Sequence, residues 1–216
     1  MLRSRLVLGS QLLLLHSPRS KAAPDKIGSL QINIKMSSSS NTNIDTDNGI
    51  YFWKPEQRYG YLGQWYPSVF KEISNDGKEI VYQNAEQYMM HQKGVLFAPD
   101  DPVTAEILTA ELHPATIKAL GRQVPNFDEE TWGKKRYEIV VKGNYLKFTQ
   151  NEDLKKELLE TGNKELVEAS PRDRIWGVGF GAVNAPKQRA RWGLNLLGKA
   201  LMEVRETIQK EEEDSK

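Results

Sequence analysis

The segment Tyr82–Phe97, with the sequence YQNAEQYMMHQKGVLF, limits the possible folds of this chain more than any other part. Its large apolar residues recur at helical spacing, which predicts a helix that packs against a core. One side of this helix also carries a carboxylate, Glu86, and an ammonium, Lys93, about two turns and about 10 Å apart along the axis. Charged groups on such a helix either border the core or enter a cleft. The segment alone leaves both interpretations open.

Composition excludes several classes of protein. The chain has 216 residues, enough for one domain with a sizeable core or at most two small ones. A net charge of +1 gives no overall field that attracts nucleic acid or a membrane. Without cysteine there are no disulfides, thiolate nucleophiles or zinc–thiolate sites. The histidines, His16, His91 and His113, are far apart in sequence, so we do not expect an imidazole metal site.

The two ends of the chain differ from its middle. Residues 1–48 are predicted to be a disordered or targeting extension, because their polar part cannot bury enough apolar surface to fold. Residues 1–24 contain basic residues and no acid. They fit a mitochondrial transit peptide, a weak secretory signal, or sequence upstream of a true start at Met36. We therefore expect a cytoplasmic protein, or a mitochondrial one if residues 1–35 are translated as a transit peptide. The apolar stretch is too short to span a bilayer.

The folded domain is predicted over residues 49–208, followed by a solvated acidic tail over 209–216. Asp76-Gly77 lies between two β-rich runs, 69–73 and 78–82, which predicts a hairpin that leads into the first helix. Asn84 is the expected N-cap of that helix. Further strands are expected at 50–53 and 165–169, and further helices at 103–110, 115–120, 129–148, 154–161 and 193–208.

Gly143 interrupts the longest of these helices. A glycine inside a helix costs about 1 kcal/mol relative to alanine. Its presence indicates either close packing or a nearby ligand.

A second informative stretch is SPRDRIWGVG, residues 170–179. It places the carboxylate of Asp173 between Arg172 and Arg174, close to Trp176, in a segment rich in turn residues. One interpretation is a structural, salt-bridged loop, and the other is part of a functional site. Further candidate positions are Gln64 and Trp65 in a rigid loop, Arg122 just after a helix, and Asn195 at the start of the last helix.

These residue types suit a planar base linked to a phosphorylated sugar. An ionised carboxylate such as Glu86 or Asp173 can stabilise an oxocarbenium-like centre or activate water, while another group assists the departing base. Alternatively, a lysine such as Lys93, with a pKa lowered by burial, can attack an opened sugar as an amine. Tryptophan, arginine and carboxamides would hold the base and the phosphate.

Four segments in this order resemble the NADAR family, which is also known through riboflavin-intermediate N-glycosidases: YQNAEQYMMHQKGVLF, LGRQVPNFDEETWGKKRYEIVVKGNYLKF, LLETGNKELVEASPRDRIWGVGF and WGLNLLGKALMEVR. The resemblance covers about residues 51 to 206. It implies a single compact α+β domain, mostly helical with a small sheet or hairpin. It also implies hydrolysis of N-glycosidic bonds without a metal or redox cofactor. The substrates associated with the family are ribosylamino-pyrimidine phosphates of riboflavin biosynthesis and ADP-ribose attached to guanine.

The resemblance also implies roles for individual residues. Glu86, Asp173 and Lys93 correspond to catalytic positions, with Lys93 either holding phosphate or forming a transient imine. The corresponding substrate-binding residues are Trp176, Arg122, Asn195, Trp65, Gln64 and Gly177. Two departures occur: Gly63-Gln64-Trp65 stands where many members have Ser-Asn-Phe, and Gln87 stands where a histidine is frequent.

Three hypotheses follow for the function. The first is an N-glycosidase that needs no cofactor and acts on a small nucleotide-like substrate or on ADP-ribosylated nucleic acid. The second is a non-catalytic module that binds ADP-ribose or a related nucleotide; two acids in a phosphate site are costly without a chemical use, which argues against it. The third is a nucleic-acid binder that uses Lys187, Arg189 and Arg191, and it merges with the first if the substrate is a modified base in a polynucleotide. The sequence does not indicate an oligomeric state.

Overall fold

The computed structural model describes residues 45–46, 48–74, 76–109 and 113–216. The predictions for residues 1–44 therefore lie outside the described residues. The strands are β1 (Gly49–Phe52), β2 (Phe70–Ile73), β3 (Glu79–Tyr82) and β4 (Glu165–Glu168). The helices are α1 (Ala85–Phe97), α2 (Pro102–Glu106), α3 (Pro114–Gly121), α4 (Glu129–Thr149), α5 (Glu152–Glu160) and α6 (Leu196–Asp214). The predicted α+β class, mostly helical with little sheet, is confirmed.

The strands form two separate pairs. β2 and β3 pair as an antiparallel hairpin, with Phe70 opposite Tyr82, and Gly77 adopts a positive φ of 82° in the turn between them. This is the hairpin that the Asp-Gly signal predicts. β1 and β4 pair in parallel, with Phe52 opposite Glu168. The sequence predicts both of these strands but not their pairing, because a parallel pair needs a long crossover that no local signal specifies.

Helix α1 lies at the centre of the domain and contacts both α3 and α4. It begins as predicted, since the side chain of Asn84 accepts a hydrogen bond of 2.9 Å from the backbone N–H of Gln87. Helix α4 in turn packs on α6, and α6 packs on β4. The main core lies between these elements and includes Ile50, Phe52, Leu62, Met89, Val140, Phe148, Leu166, Leu201 and Val204.

Helix α6 differs from its prediction at both ends. Leu197, Leu201, Val204 and Ile208 are buried as expected, but Leu194 precedes the helix and is 50% exposed. At the other end the helix continues through the acidic residues to Asp214. There the Tyr145 hydroxyl donates to the Glu211 carboxylate at 3.0 Å, and the Lys155 ammonium lies 3.1 Å from Glu212. These partners on α4 and α5 explain why residues of the expected solvated tail extend the helix.

Candidate active site

A cleft of about 780 Å³ is bordered by α1, α3 and the loops that follow β1 and β4. Seven of the nine site residues predicted from the sequence line it: Gln64, Trp65, Glu86, Lys93, Arg122, Asp173 and Trp176. They come from four distant parts of the chain, so the tertiary structure is what brings them together. The other two predicted residues, Gly177 and Asn195, are not in its lining.

Glu86 lies in the first turn of α1 and is only 3% exposed. Its backbone N–H donates to the carbonyl oxygen of Gln64 at 3.0 Å, whereas its side-chain Oε1 is buried and has no hydrogen-bond partner among the described residues. Burial raises the pKa of Glu86 to about 7, an effect that the nearby Lys118 ammonium and the Trp65 side chain only partly offset. Glu86 can therefore gain and lose a proton near neutral pH.

Lys93 lies two turns further along α1 in a partly enclosed aromatic setting. Its Nζ donates to the carbonyl oxygen of Gly121 at 2.7 Å and lies 4.1 Å from the centre of the Phe127 ring. The Trp132 ring is 5.9 Å away. Burial lowers the pKa of Lys93, while the carbonyl dipole and the ring faces favour its cationic form.

Asp173 shapes the turn that carries Trp176. Its Oδ1 accepts hydrogen bonds of 2.8 Å from the backbone N–H groups of both Ile175 and Trp176. The interpretation of this stretch as a salt-bridged loop is not supported, because no ion pair joins Asp173 to a flanking arginine in the described part of the chain. Arg174 instead donates to the carbonyl oxygen of Arg191 at 2.8 Å. The carboxylate thus orders the loop through backbone hydrogen bonds, and the residue also lines the cleft.

The loop that presents Gln64 and Trp65 is held by α4. Asn144 Nδ2 donates to Gln64 Oε1 at 2.9 Å, and Lys147 Nζ donates to the carbonyl oxygens of Tyr61 and Gly63 at 2.6 and 3.0 Å. Lys147 is fully buried, and burial lowers its pKa to about 7. The sequence does not single out Asn144 or Lys147, since polar residues on a long helix are usually solvated.

Asn195 and Gly177 have structural positions instead of the predicted places in the cleft. The Asn195 side chain accepts from the backbone N–H of Glu168 at 3.0 Å and donates to the carbonyl oxygen of Leu166 at 2.9 Å, which fastens α6 to β4. It makes no side-chain capping bond and has a left-handed backbone, with φ of 50°. At Gly177, a Cβ atom would lie 2.7 Å from the Glu168 carbonyl oxygen, so glycine permits this close approach.

Sequence reasoning missed Glu168, the last residue of β4. It lines the cleft, and its Oε2 is buried without a hydrogen-bond partner among the described residues. Burial, together with the charges of Asp173 and Glu86, raises the pKa of Glu168 to about 8. The sequence feature that could have identified Glu168 was its position directly after the apolar pair Leu166 and Val167. A carboxylate at the end of a buried strand is difficult to solvate.

Other residues of the lining were also not predicted as site residues, Lys118 and His113 among them. Lys118 on α3 is the cation with the largest effect on Glu86, and His113 places its ring 6.0 Å from that of Trp65. Within residues 45–216, as far as they are described, no three His, Cys, Asp or Glu side chains converge as ligands for a metal ion.

Comparison with known sequences places the chain in a family. The sequence model of the NADAR domain matches residues 51–209, most of the chain. The protein belongs to the NADAR domain family. An N-glycosidase of Acanthamoeba polyphaga mimivirus is 44% identical to this NADAR protein over 173 residues, which cover 77% of this chain and 99% of the viral protein. The family resemblance seen in the sequence is thereby confirmed.

Two further relatives of this NADAR protein bear on its fold and family. A riboflavin biosynthesis protein of Vibrio vulnificus is 32% identical over 160 residues, which cover 74% of this chain and 38% of the bacterial protein. The solved structure of the Escherichia coli protein YbiA has a TM-score of 0.61 and 27% identity, covering 78% of this chain and 89% of YbiA. None of the helices described for this NADAR protein is long and apolar enough to cross a membrane.

Proposed function

We propose that this NADAR-domain protein is an N-glycosidase, a hydrolase that splits the C–N bond between a base and a ribose. The observation that carries the proposal is Glu86, a buried carboxyl group with an unpartnered oxygen, in a cleft lined by tryptophan rings and cations. The name N-glycosidase of the mimivirus relative, 44% identical, supports the same reaction.

Glu86 would act on the water that attacks the anomeric carbon. A general base is most effective when its pKa lies near the working pH, and burial brings the pKa of Glu86 to about 7. As the C–N bond breaks, the sugar becomes oxocarbenium-like and positive. Asp173 would stabilise this positive charge with the part of its carboxylate that the backbone of the turn does not engage.

The rest of the cleft suits a nucleotide-like substrate. Lys93 and Arg122 would bind phosphate, and Trp65 and Trp176 would hold the planar base. The volume of about 780 Å³ is in the range of ordinary small-molecule sites. Two substrate classes fit this chemistry. One is a ribosylamino-pyrimidine phosphate, as the name of the Vibrio vulnificus relative suggests. The other is ADP-ribose attached to a guanine base.

Product analysis by mass spectrometry on both substrates would test the proposal. The protein is incubated with a 5-aminopyrimidine ribosylamine phosphate and, separately, with an ADP-ribosylated guanine oligonucleotide. Glu86→Gln removes the ionisable group at nearly constant volume and should lower kcat by about 100-fold or more. Glu106→Gln, an exposed position on α2, is the matched control and should keep wild-type turnover.

The products distinguish the substrate classes. Release of ribose 5-phosphate, lost in Glu86→Gln, would assign the riboflavin-type substrate, and release of ADP-ribose would assign the guanine adduct. Turnover that survives Glu86→Gln would remove Glu86 from the mechanism. If neither product forms but ADP-ribose binds to wild type and to Glu86→Gln alike, a non-catalytic nucleotide-binding module is the better account.

A further inference from the structure

A second buried carboxyl group, that of Glu168, shares the cleft with Glu86. It is the last residue of β4, and its Oε2 is enclosed while another part of the residue reaches the cleft surface. Its backbone is fixed on both sides: its N–H donates to Asn195 Oδ1 at 3.0 Å, and its carbonyl oxygen accepts from the N–H of Val178 at 3.0 Å. The side chain therefore starts from a rigid position beside the site.

Glu168 and Asp173 differ in what their oxygens already bind. Asp173 Oδ1 accepts hydrogen bonds from backbone N–H groups of its own turn, which hold that oxygen in place. Glu168 Oε2 has no donor near it in the described part of the chain. A buried carboxyl oxygen without a donor is far less costly when the group carries a proton. The protonated group can also donate a hydrogen bond to a ligand in the cleft.

We propose that Glu168 is the catalytic acid of this cleft, which protonates the departing base while Glu86 accepts a proton from the attacking water. This inference rests on the proposed N-glycosidase function. As the bond between C1′ and the base nitrogen breaks, its electron pair passes to the nitrogen, which takes the proton from Glu168. Water adds its oxygen to C1′ and gives its proton to Glu86. The products are the free sugar and the protonated base, and solvent returns the proton from Glu86 to Glu168.

The surroundings of the two groups are consistent with this division of roles. Three charged groups lie near Glu168: Asp173 on the loop after β4, Glu86 on α1 and Lys118 on α3. Burial and the two acids raise the pKa of Glu168 to about 8, whereas burial raises that of Glu86 to about 7 against the opposing effects of Lys118 and the Trp65 side chain. Activity should rise with pH as Glu86 loses its proton and fall again as Glu168 loses its own.

The pH dependence of kcat in wild type, Glu168→Gln and Glu168→Asp tests the assignment. The substrate is whichever N-ribosyl compound the wild type hydrolyses, the pyrimidine ribosylamine phosphate or the ADP-ribosylated guanine oligonucleotide. Glu165→Gln is the matched control on the same strand, because its side chain pairs with the exposed Arg189 at 2.6 Å, outside the cleft. Thermal unfolding of each variant shows whether it is folded.

For Glu168→Gln we expect a 100-fold to 10,000-fold loss of kcat, the range typical of a lost general acid, and no alkaline fall in the residual activity. Glu168→Asp keeps a protonatable group, so it should retain part of the activity and an alkaline fall with a shifted midpoint. Glu165→Gln should match wild type.

Four results would overturn the assignment. The first is a kcat of Glu168→Gln within threefold of Glu165→Gln. The second is a large loss of kcat in Glu168→Gln whose remaining activity still falls at alkaline pH as in wild type. That result would indicate a structural role. The third applies if Glu168→Gln does not fold: the midpoint of the alkaline fall in activity is then the same in Glu168→Asp as in wild type. The fourth, wild type inert on both substrates, would reject the N-glycosidase function itself and the assignment with it.

Discussion

The side chains of Asn144 and Gln64 are joined by a buried hydrogen bond of 2.9 Å, from the amide nitrogen of Asn144 to the carboxamide oxygen of Gln64. This bond connects Asn144, a residue of α4 outside the cleft lining, with the loop that forms one wall of the cleft. Asn144 also donates to the Val140 carbonyl oxygen one turn earlier, which fixes its own orientation. The wall of the cleft is therefore positioned from α4 as well as by its own sequence.

We predict that Asn144→Ala lowers the free energy of unfolding by about 1–3 kcal/mol, since it leaves the buried Gln64 oxygen without a donor. A less ordered wall should also raise KM for the substrate. Urea denaturation and steady-state kinetics measure the two effects. Asn184→Ala, at an exposed position, is the control and should change neither. Unchanged stability and KM in Asn144→Ala would contradict the prediction.

Two glycines of α4 allow a matched comparison. At Gly143 a Cβ atom would lie 2.5 Å from the Tyr88 ring, whereas at Gly133 it would meet nothing within 4 Å. Gly133→Ala should stabilise the protein by about 0.5–1 kcal/mol through helix propensity. Gly143→Ala should instead destabilise it by about 1–3 kcal/mol, because the buried Tyr88 ring must move. Thermal unfolding of both variants measures these changes in stability. A stabilising effect of Gly143→Ala would refute the packing argument.

Lys147 should make stability depend on pH. Its pKa is about 7 in the folded protein, against the 10.5 that is ordinary for a solvated lysine. Between these values the unfolded chain binds the proton and the folded protein does not, so the free energy of unfolding should rise with pH in this window. Lys147→Met lacks the ionisable group and should lose this contribution.

The measurement is urea denaturation of both proteins between pH 7 and 10, with the difference between wild type and Lys147→Met plotted against pH. That difference should grow as pH rises. Lys134→Met, on the same helix but with a side chain 69% exposed, is the control and should show a flat difference. A flat or falling difference for Lys147→Met would be inconsistent with a buried, neutral amine.

Lys93 should bind substrate phosphate as an ammonium and should not form an imine. Its contacts with the Gly121 carbonyl oxygen and the Phe127 ring are both of the kind that a cation makes. Lys93→Met should therefore raise KM by about 10-fold or more, with a smaller effect on kcat, while Lys93→Arg should keep part of the affinity. Intact-mass analysis after borohydride treatment during turnover should show no adduct. A covalent sugar adduct on Lys93 would establish the imine alternative.

Most secondary structure could be predicted from local signals. The hairpin at Asp76-Gly77 and the N-cap at Asn84 depend on residues close in sequence, so the chain specifies them directly. The pairing of β1 with β4 depends on segments more than 100 residues apart and has no local signal. The end of α6 was misjudged for a related reason, because Tyr145 and Lys155 on other helices stabilise its acidic last turns.

The candidate site also combines features that the sequence predicts with features that depend on the tertiary structure. Residue types and the family resemblance identified Glu86, Lys93, Asp173 and Trp176, and the fold places all four around one cleft. Asn195 lies outside the cleft lining and contacts β4, and a carboxamide at a helix start looks the same in sequence in either position.

The sequence by itself determined the helices, the hairpin, the family and most of the polar groups of the cleft. Only the tertiary structure decided which of these groups are deprived of water. Glu168 ends a short strand in sequence, but burial beside Glu86 and Asp173 gives it a raised pKa. Lys147 is one of many helix lysines, but burial under the Tyr61–Gly63 loop lowers its pKa to about 7. The physical reason is that solvation of a charge depends on every segment packed around it, and no single stretch of sequence contains that information.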